Sequence, residues 1–362
     1  MLRRLLAVIG VSTIVAAACA VPSSPGSGGP PVTLPDNGEP FTIVFIGDSE
    51  PRMRGNTNAE LSAYVQNLLS YKTTTERYFD ADGGIHRIDP ELVILGGDIS
   101  EDRGTSIAND LPIWQPLYNA GVPFIAGFGN HDWDPDSWGD GPGYSLAGHL
   151  SNENTRALVA ETQRRSAATT PQFTYQQFGP TSAHGPDTYL SAYRGVGIAS
   201  FNTYLYHPSY FYPEGWPASC NPLLGGAGCQ RYVSAESQIQ ALEDALDPDP
   251  SRPMLFVQHY PLTTGSGWWN DYGVSGATVS QQKDRLLGLM DRFDEVALLA
   301  GHNHSSGHYT HNVGGRELNE YVAPYFGGGN GEDLTRGGGF VALLVSSTRG
   351  IIEVKTIPGG IA

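Results

Sequence analysis

Short polar motifs follow apolar, strand-like runs at two neighbouring places in the chain. Asp98 follows an apolar run from Leu92 to Leu95 and two glycines. Asn130 and His131 follow a second run, from Val122 to Phe128. Because the carboxyl ends of parallel strands face one crevice of an α/β sheet, we expect these side chains to converge. Oxygen and imidazole ligands suit a divalent metal, although Gly-Asp and Gly-Asn are each also ordinary turn dipeptides.

Three further strand-like runs are also followed by residues of types that can bind metals. They span Phe41 to Ile46, Met254 to Val257 and Val296 to Ala300. A lone histidine at a strand end is more often structural, but the last run ends in Gly-His-x-His. In an extended segment the two imidazoles of this motif would lie on the same side of the chain. The ligand candidates at these three ends are Asp48, Glu50, His259, His302 and His304.

Helical spacing between the strand-like runs predicts a parallel sheet. One helix is expected from Asn58 to Tyr71 and another from Leu111 to Asn119, which gives a β-α-β-α-β order. Later helices are expected near Ala235 to Leu246 and Gln281 to Phe293. Arg194-Gly195 is predicted to be the turn of a hairpin between residues 187 and 201.

Between Trp133 and Gly185 the periodicity fades, and Gly, Pro, Asp, Ser and Thr dominate. This stretch is predicted to be irregular and to form part of an insertion around residues 133–233 that shapes the site. The folded domain is expected to span residues 41–362. Its last strands are expected near Leu318 to Val322, Phe340 to Val345 and Ile351 to Thr356.

Composition excludes two broad classes of protein. With 40% hydrophobic and 16% charged residues the chain of 362 residues is not disordered. A net charge of −16 argues against a nucleic-acid scaffold, because affinity for the phosphate backbone comes from clustered Lys and Arg.

The first nineteen residues are typical of an export signal, with two arginines before an apolar stretch. Ala18-Cys19-Ala20 fits an ordinary cleavage site, whereas Ala16 to Cys19 resembles a bacterial lipobox with Ala in place of the usual Leu. The Pro-, Gly- and Ser-rich residues 20–40 suit a tether. We therefore expect an exported protein that is either anchored to a membrane through lipidated Cys19 or soluble outside the cytoplasm. Lipidation of Cys19 would leave Cys220 and Cys229 as one disulfide pair.

The ordered series of motifs resembles that of the calcineurin-like metallophosphoesterases, which include purple acid phosphatases and many nucleotidases and phosphodiesterases. The series is Gly-Asp, Gly-Gly-Asp, Gly-Asn-His-Asp, a strand-end His and Gly-His-x-His, from Phe41 to about His304. The resemblance implies an α/β fold, a four-layer α/β/β/α sandwich, with two divalent metal ions. By motif, one ion would take Asp48, Glu50, Asp98 and His304, and the other would take Asp98, Asn130, His259 and His302.

Glu50 departs from the family pattern, which commonly has His two residues after the first Asp. A carboxylate there adds negative charge and hard oxygen character to the first metal site. We expect Mn or Fe at this centre, with Zn or Ca as the other possibilities.

The resemblance also implies a mechanism, in which two metals activate a water that attacks phosphorus in a phosphomonoester or phosphodiester. His131 would protonate the leaving oxygen, and Asp132 could orient the imidazole of His131. Arg52 and Arg103 follow the first two carboxylate motifs and could bind phosphate oxygens, or could be solvated surface charges.

Two other functions remain open at this stage. The chain could be a metal-containing binding protein of the cell surface in which Glu50 closes a degenerate site. It could also be another type of hydrolase, although no Gly-x-Ser-x-Gly motif is present. The substrate, beyond a small phosphate ester, is left undetermined.

Overall fold

The computed structural model describes most of the chain after its first 37 residues. The described residues are 38–49, 57–71, 78–81, 83–99, 107–129, 132, 146–177, 188–201, 209–211, 231–233, 235–246, 249–263, 276–326 and 338–357. In chain order the elements are β1 Phe41–Ile46, α1 Asn58–Ser70, β2 Tyr78–Ala81, β3 Gly84–Arg87, β4 Pro90–Leu95, α2 Ile107–Asn119, β5 Phe124–Ala126, α3 Leu146–Thr169, β6 Phe173–Gln177, β7 Tyr189–Tyr193, β8 Val196–Ser200, β9 Ser209–Phe211, β10 Arg231–Val233, α4 Ala235–Ala245, β11 Met254–Val257, α5 Gly276–Met290, β12 Val296–Ala300, β13 Gly307–Val313, β14 Arg316–Val322, β15 Phe340–Ser346 and β16 Gly350–Ile357.

The first large sheet has five strands in the order β16-β15-β1-β4-β5. Strands β1, β4 and β5 are parallel, which confirms the β-α-β-α-β prediction. Ile46 pairs with Leu95, and Leu95 pairs with Ala126. The three strands therefore end at one edge of the sheet, and Asp48 and Asp98 follow there.

The second large sheet has seven strands in the order β13-β14-β12-β11-β8-β7-β6. Its central strands β8, β11, β12 and β14 are parallel, and Val257 pairs with Leu299. The strands that precede His259 and His302 therefore also end side by side. The predicted hairpin is formed by β7 and β8, which are antiparallel.

Three apolar layers hold the two sheets and the helices together. In β1, Val44 and Ile46 face a core that contains Leu61 of α1 and Trp114 of α2, whereas Phe45 faces the second sheet. Alternate residues of a strand point to opposite faces, so one strand serves two cores. A third core lies between the second sheet and helices α4 and α5. This arrangement confirms the predicted four-layer α/β/β/α sandwich.

The prediction that residues 133–185 are irregular is wrong for residues 146–177, which form α3 and β6. Helix α3 packs against β5, the edge strand of the first sheet. The backbone N–H groups of Phe124 and Ala126 donate to the hydroxyls of Ser166 (3.0 Å) and Thr162 (3.2 Å). Hydroxyl groups of the helix accept hydrogen bonds from the backbone N–H groups at the edge of the sheet. The buried face of α3 is therefore partly polar and shows little apolar periodicity. Where the predicted insertion begins and ends stays a prediction.

Among the described residues, the helices are too short or too polar to cross a lipid bilayer.

Candidate metal centre

Two carboxylates enter the site from the first sheet. Asp48 follows β1 and Asp98 follows β4, and both side chains are buried. The backbone N–H of His302 donates to both carboxylate oxygens of Asp48, at 3.1 and 2.8 Å. The Ser49 hydroxyl donates to the backbone oxygen of Asp98 at 2.9 Å, and the N–H of Phe326 donates to that of Asp48 at 3.0 Å. The chain on either side of the carboxylates is therefore fixed by hydrogen bonds.

His259 enters from the second sheet and meets both carboxylates. Its side chain is fully buried, and Nε2 lies 3.2 Å from Oδ2 of Asp98 and 3.5 Å from Oδ1 of Asp48. One ligand atom from each of the three residues lies within 4.8 Å of the other two. Two carboxylate oxygens and one imidazole nitrogen around a common point form a donor set that fits a divalent metal.

The electrostatics of this group also favour a cation. Burial disfavours the protonated imidazole of His259, but the negative charges of Asp98 and Asp48 outweigh that effect and raise its pKa to about 9. Buried charges are expensive unless they are paired. A proton on His259 therefore compensates the carboxylates when no metal is bound, and a metal ion would replace that proton.

His302 and His304 follow β12 and complete the second-sheet side. The ring centroids of His302 and His259 are 5.2 Å apart. His304 is part-exposed, and its Nε2 lies 3.7 Å from Oδ1 of Asp48. Both histidines reach the site, but the predicted extended conformation is wrong, because their φ angles are +67° and +52°. The segment bends after Gly301, where a Cβ would lie 2.6 Å from the backbone oxygen of Gly47.

Positive φ angles are concentrated at the candidate ligands. Among the described residues only four that are not glycine have one, and three of them are Asp98, His302 and His304. Such a conformation costs about 1–3 kcal/mol per residue and persists where surrounding structure enforces it, often at functional sites. Three of the described ligand candidates therefore have a bent backbone, and the fourth residue, Arg194, lies in the turn between β7 and β8.

Asp132 and Gly129 form the described part of the Gly-Asn-His-Asp motif. Asp132 is buried, and its Oδ2 accepts a hydrogen bond from the N–H of Gly129 at 2.7 Å. This contact joins Gly129 and Asp132, the two described residues of the motif. A methyl group at Gly129 would overlap Oδ1 of Asp98, so this glycine lets the β4 and β5 ends approach each other.

Several predicted site residues lie outside the described part of the chain: Glu50, Arg52, Arg103, Asn130 and His131. The same holds for Cys19, Cys220 and Cys229. The roles of all these residues, the orientation of His131 by Asp132 and the division of the ligands into two sets that share Asp98 stay predictions.

Two tyrosines that the sequence analysis missed support the histidines. The Tyr260 ring centroid lies 4.1 Å from that of His302, and the Tyr325 ring stacks on His304 at 4.6 Å. Tyr260 could have been noticed because it directly follows His259. Tyr325 lies after β14, outside every ligand motif, so no local pattern indicates its role.

The model of the calcineurin-like phosphoesterase family matches residues 41–306, whereas no curated protein matches the chain. One similar solved structure is phosphopantetheinyl hydrolase from Mycobacterium tuberculosis, with 14% identity, a TM-score of 0.37, and coverage of 78% of this chain and 89% of that one. Another is a single mutant of Vps29 from Entamoeba histolytica, with 10% identity, a TM-score of 0.26, and coverage of 88% and 100%. The family match includes strands of both large sheets and every described ligand candidate, and the chain belongs to the calcineurin-like phosphoesterase family.

Proposed function

We propose that this protein is a metal-dependent phosphoric ester hydrolase with a dinuclear centre, acting on a phosphomonoester or phosphodiester. The observation that supports it best is the buried group of Asp48, Asp98 and His259, whose ligand atoms lie within 4.8 Å of one another. Family membership indicates hydrolysis of phosphate esters as the chemistry that such a group serves.

In this proposal Asp48, Glu50, Asp98 and His304 hold one ion, and Asp98, Asn130, His259 and His302 hold the other. When bound, two such ions supply the activation of a water and neutralise charge on the phosphate oxygens. Manganese or iron is the proposed metal, because Glu50 adds a hard oxygen ligand.

Residues beside the ligands would handle the proton and the substrate. His131 is proposed to donate a proton to the leaving oxygen. Asp132 is proposed to orient the imidazole of His131, and Asp132 itself is held by a hydrogen bond from the N–H of Gly129. Arg52 and Arg103 are proposed to bind phosphate oxygens, where a guanidinium can form paired hydrogen bonds.

The test is reconstitution of metal-free protein. The purified protein would be stripped with a chelator, loaded separately with Mn²⁺, Fe²⁺, Zn²⁺ or Ca²⁺, and assayed on nitrophenyl phosphate and bis-nitrophenyl phosphate. The proposal expects turnover only after loading, highest with Mn²⁺ or Fe²⁺. Tight metal binding without turnover on either ester, or on a panel of natural phosphate esters, would instead favour a surface binding protein.

We also propose that the protein is exported and held on the outer side of a membrane by lipidated Cys19. The support is the sequence of the first forty residues alone. Mass spectrometry of the mature N-terminus tests it: an unmodified start after Ala20 would indicate a soluble exported protein.

A further inference from the structure

Glu320 is a buried carboxylate on the outer face of the second sheet. It lies on β14, two residues from Leu318, which packs in the core shared with α4 and α5. Its side chain has no solvent exposure. A buried charge is retained only where several donors satisfy it. The positions of those donors therefore indicate what Glu320 does.

Two of the donors belong to the segment that directly follows His259. Oε1 of Glu320 accepts a hydrogen bond from the backbone N–H of Leu262 at 2.6 Å. Oε2 accepts one from the hydroxyl of Thr263 at 3.1 Å. Glu320 thus binds the chain three and four residues beyond the metal-ligand candidate His259.

Side chains from two other elements also hold this segment, and together with Glu320 and Thr263 they form what we call the anchor. Nε2 of His311, on β13, lies 2.8 Å from Oε2 of Glu320. Nζ of Lys283, on α5, donates to the backbone oxygen of Leu262 at 3.1 Å. Both backbone polar groups of Leu262 are therefore held by side chains, although Leu262 lies outside any helix or strand.

The anchor fixes the path of the chain at the metal centre. His259 itself is held just after the end of β11, because the backbone oxygen of His259 accepts a hydrogen bond from the N–H of Gly301 at 2.8 Å. Between these two points lies Tyr260, whose ring packs on His302. A shift of Leu262 would change the direction of the backbone at both residues, and displacements well below 1 Å impair a metal site.

We propose that Glu320, with His311, Thr263 and Lys283, positions His259 and Tyr260 for metal binding. Glu320 is a positioning residue, since it touches neither the ligand atoms nor the substrate. The inference rests on the proposed metal centre, but it concerns metal affinity and does not depend on catalysis. Groups that orient metal ligands typically change metal affinity by 10- to 100-fold when they are removed.

The test compares Glu320→Gln with Glu243→Gln. The first variant keeps the size of the side chain and one of its two acceptor oxygens. The amide nitrogen that replaces the other oxygen cannot accept a hydrogen bond from Thr263 or His311. The second removes a carboxylate that binds Arg285 (2.6 Å) between α4 and α5, in the same outer layer. Each variant is stripped of metal, and its Mn²⁺ affinity is measured by calorimetry alongside its thermal unfolding.

We expect Glu320→Gln to weaken Mn²⁺ binding by 10- to 100-fold, and Glu243→Gln to lower stability without changing the affinity. Equal Mn²⁺ affinity in Glu320→Gln and wild type would overturn the proposal and leave Glu320 a stabilising residue. If Glu320→Gln does not fold, Thr263→Val replaces it, with an expected loss of a few fold; unchanged affinity there is also a contradiction. Absence of binding of Mn²⁺, Fe²⁺, Zn²⁺ and Ca²⁺ in the wild type would refute the metal centre itself, which is a separate outcome.

Discussion

The two sheets contribute different ligands to the site and hold them in different ways. The first sheet supplies the carboxylates of Asp48 and Asp98, which are short, buried and fixed by hydrogen bonds of the adjacent backbone. The second sheet supplies imidazoles, which are longer: His259 is fully buried, whereas the side chain of His304 is 20% exposed. Tyrosine rings support His302 and His304, and Glu320 anchors the segment after His259.

This contrast shows how ligand length determines the support that a metal site needs. Aspartate and histidine side chains each rotate about two bonds, but Nε2 of a histidine lies farther from the backbone than a carboxylate oxygen of an aspartate. The same change in a torsion angle therefore displaces Nε2 farther, so an imidazole needs lateral contacts as well. Damage on the first-sheet side should therefore abolish the site, whereas damage to the supports on the second-sheet side should weaken it.

The largest effect is expected for Asp98→Ala, on the first-sheet side. Asp98 is the ligand proposed to bridge both ions, so its loss should remove both metals and all measurable turnover. Elemental analysis and ester hydrolysis measure the two effects in one preparation. An Asp98→Ala protein that kept two ions, or kept its activity, would contradict the bridging role.

A smaller effect is expected for His131→Ala, which follows the first sheet but is not a proposed ligand. Loss of a general acid should lower turnover by about 10²- to 10⁴-fold on an ester with a poor leaving group. The loss should shrink on nitrophenyl phosphate, whose leaving group needs little protonation. Metal content and unfolding temperature serve as controls and should not change; full activity on the poor leaving group would rule out this role.

The pKa of His259 gives the metal-free protein a pH-dependent stability. Burial lowers this pKa, but Asp98 and Asp48 outweigh burial and raise it to about 9, above the ordinary value of 6.5. A raised pKa contributes stability that is present below pH 6.5 and is lost as the pH rises to 9. Metal binds the neutral imidazole, so stabilisation by Mn²⁺ should grow over the same range.

This dependence is measured by unfolding the metal-free protein in denaturant at several pH values. Between pH 6.5 and pH 9 the free energy of unfolding should fall by an amount of the order of 3 kcal/mol, since one pKa unit corresponds to about 1.4 kcal/mol. His259→Asn should show a flatter profile over that interval. If wild type and His259→Asn depend equally on pH, the charge compensation inferred for this site is wrong.

The smallest effect is expected for Tyr325→Leu, on the second-sheet side. The substitution keeps an apolar side chain but removes the ring that stacks on His304 at 4.6 Å. We expect Mn²⁺ affinity to fall by only a few fold, because His304 keeps its backbone position. Tyr321→Leu, which removes a ring stacked on His308, a histidine outside the ligand candidates, is a matched control that should leave the affinity unchanged. If Tyr325→Leu lost metal as completely as Asp98→Ala, the expected difference between ligands of the first sheet and supports on the second-sheet side would be wrong.

The sequence predicted the strand ends well because each described ligand candidate follows an apolar run, with a glycine directly before Asp48, Asp98 and His302. Parallel pairing of β1 and β4 places Asp48 beside Asp98, and packing of the second sheet against the first brings His259 to them. The positive φ angles at His302 and His304 could not be read in this way, since they accompany a close approach of Gly301 to Gly47, which is far away in the sequence.

Other features were missed because they depend on contacts between residues that are far apart in the sequence. Helix α3 buries Thr162 and Ser166 against the edge of β5, so apolar spacing does not reveal it. Glu320 is 58 residues from Leu262, and nothing near either residue indicates their contact. Long-range polar contacts therefore limit what this sequence alone can predict.

The central claim is most directly tested by titrating Mn²⁺ into the metal-free wild-type protein while phosphate release is followed. The account predicts no release before metal is added and a rate that levels off at two ions per chain, in step with calorimetric binding. Full activity without metal, or saturated binding with no hydrolysis of any phosphate ester, would contradict it.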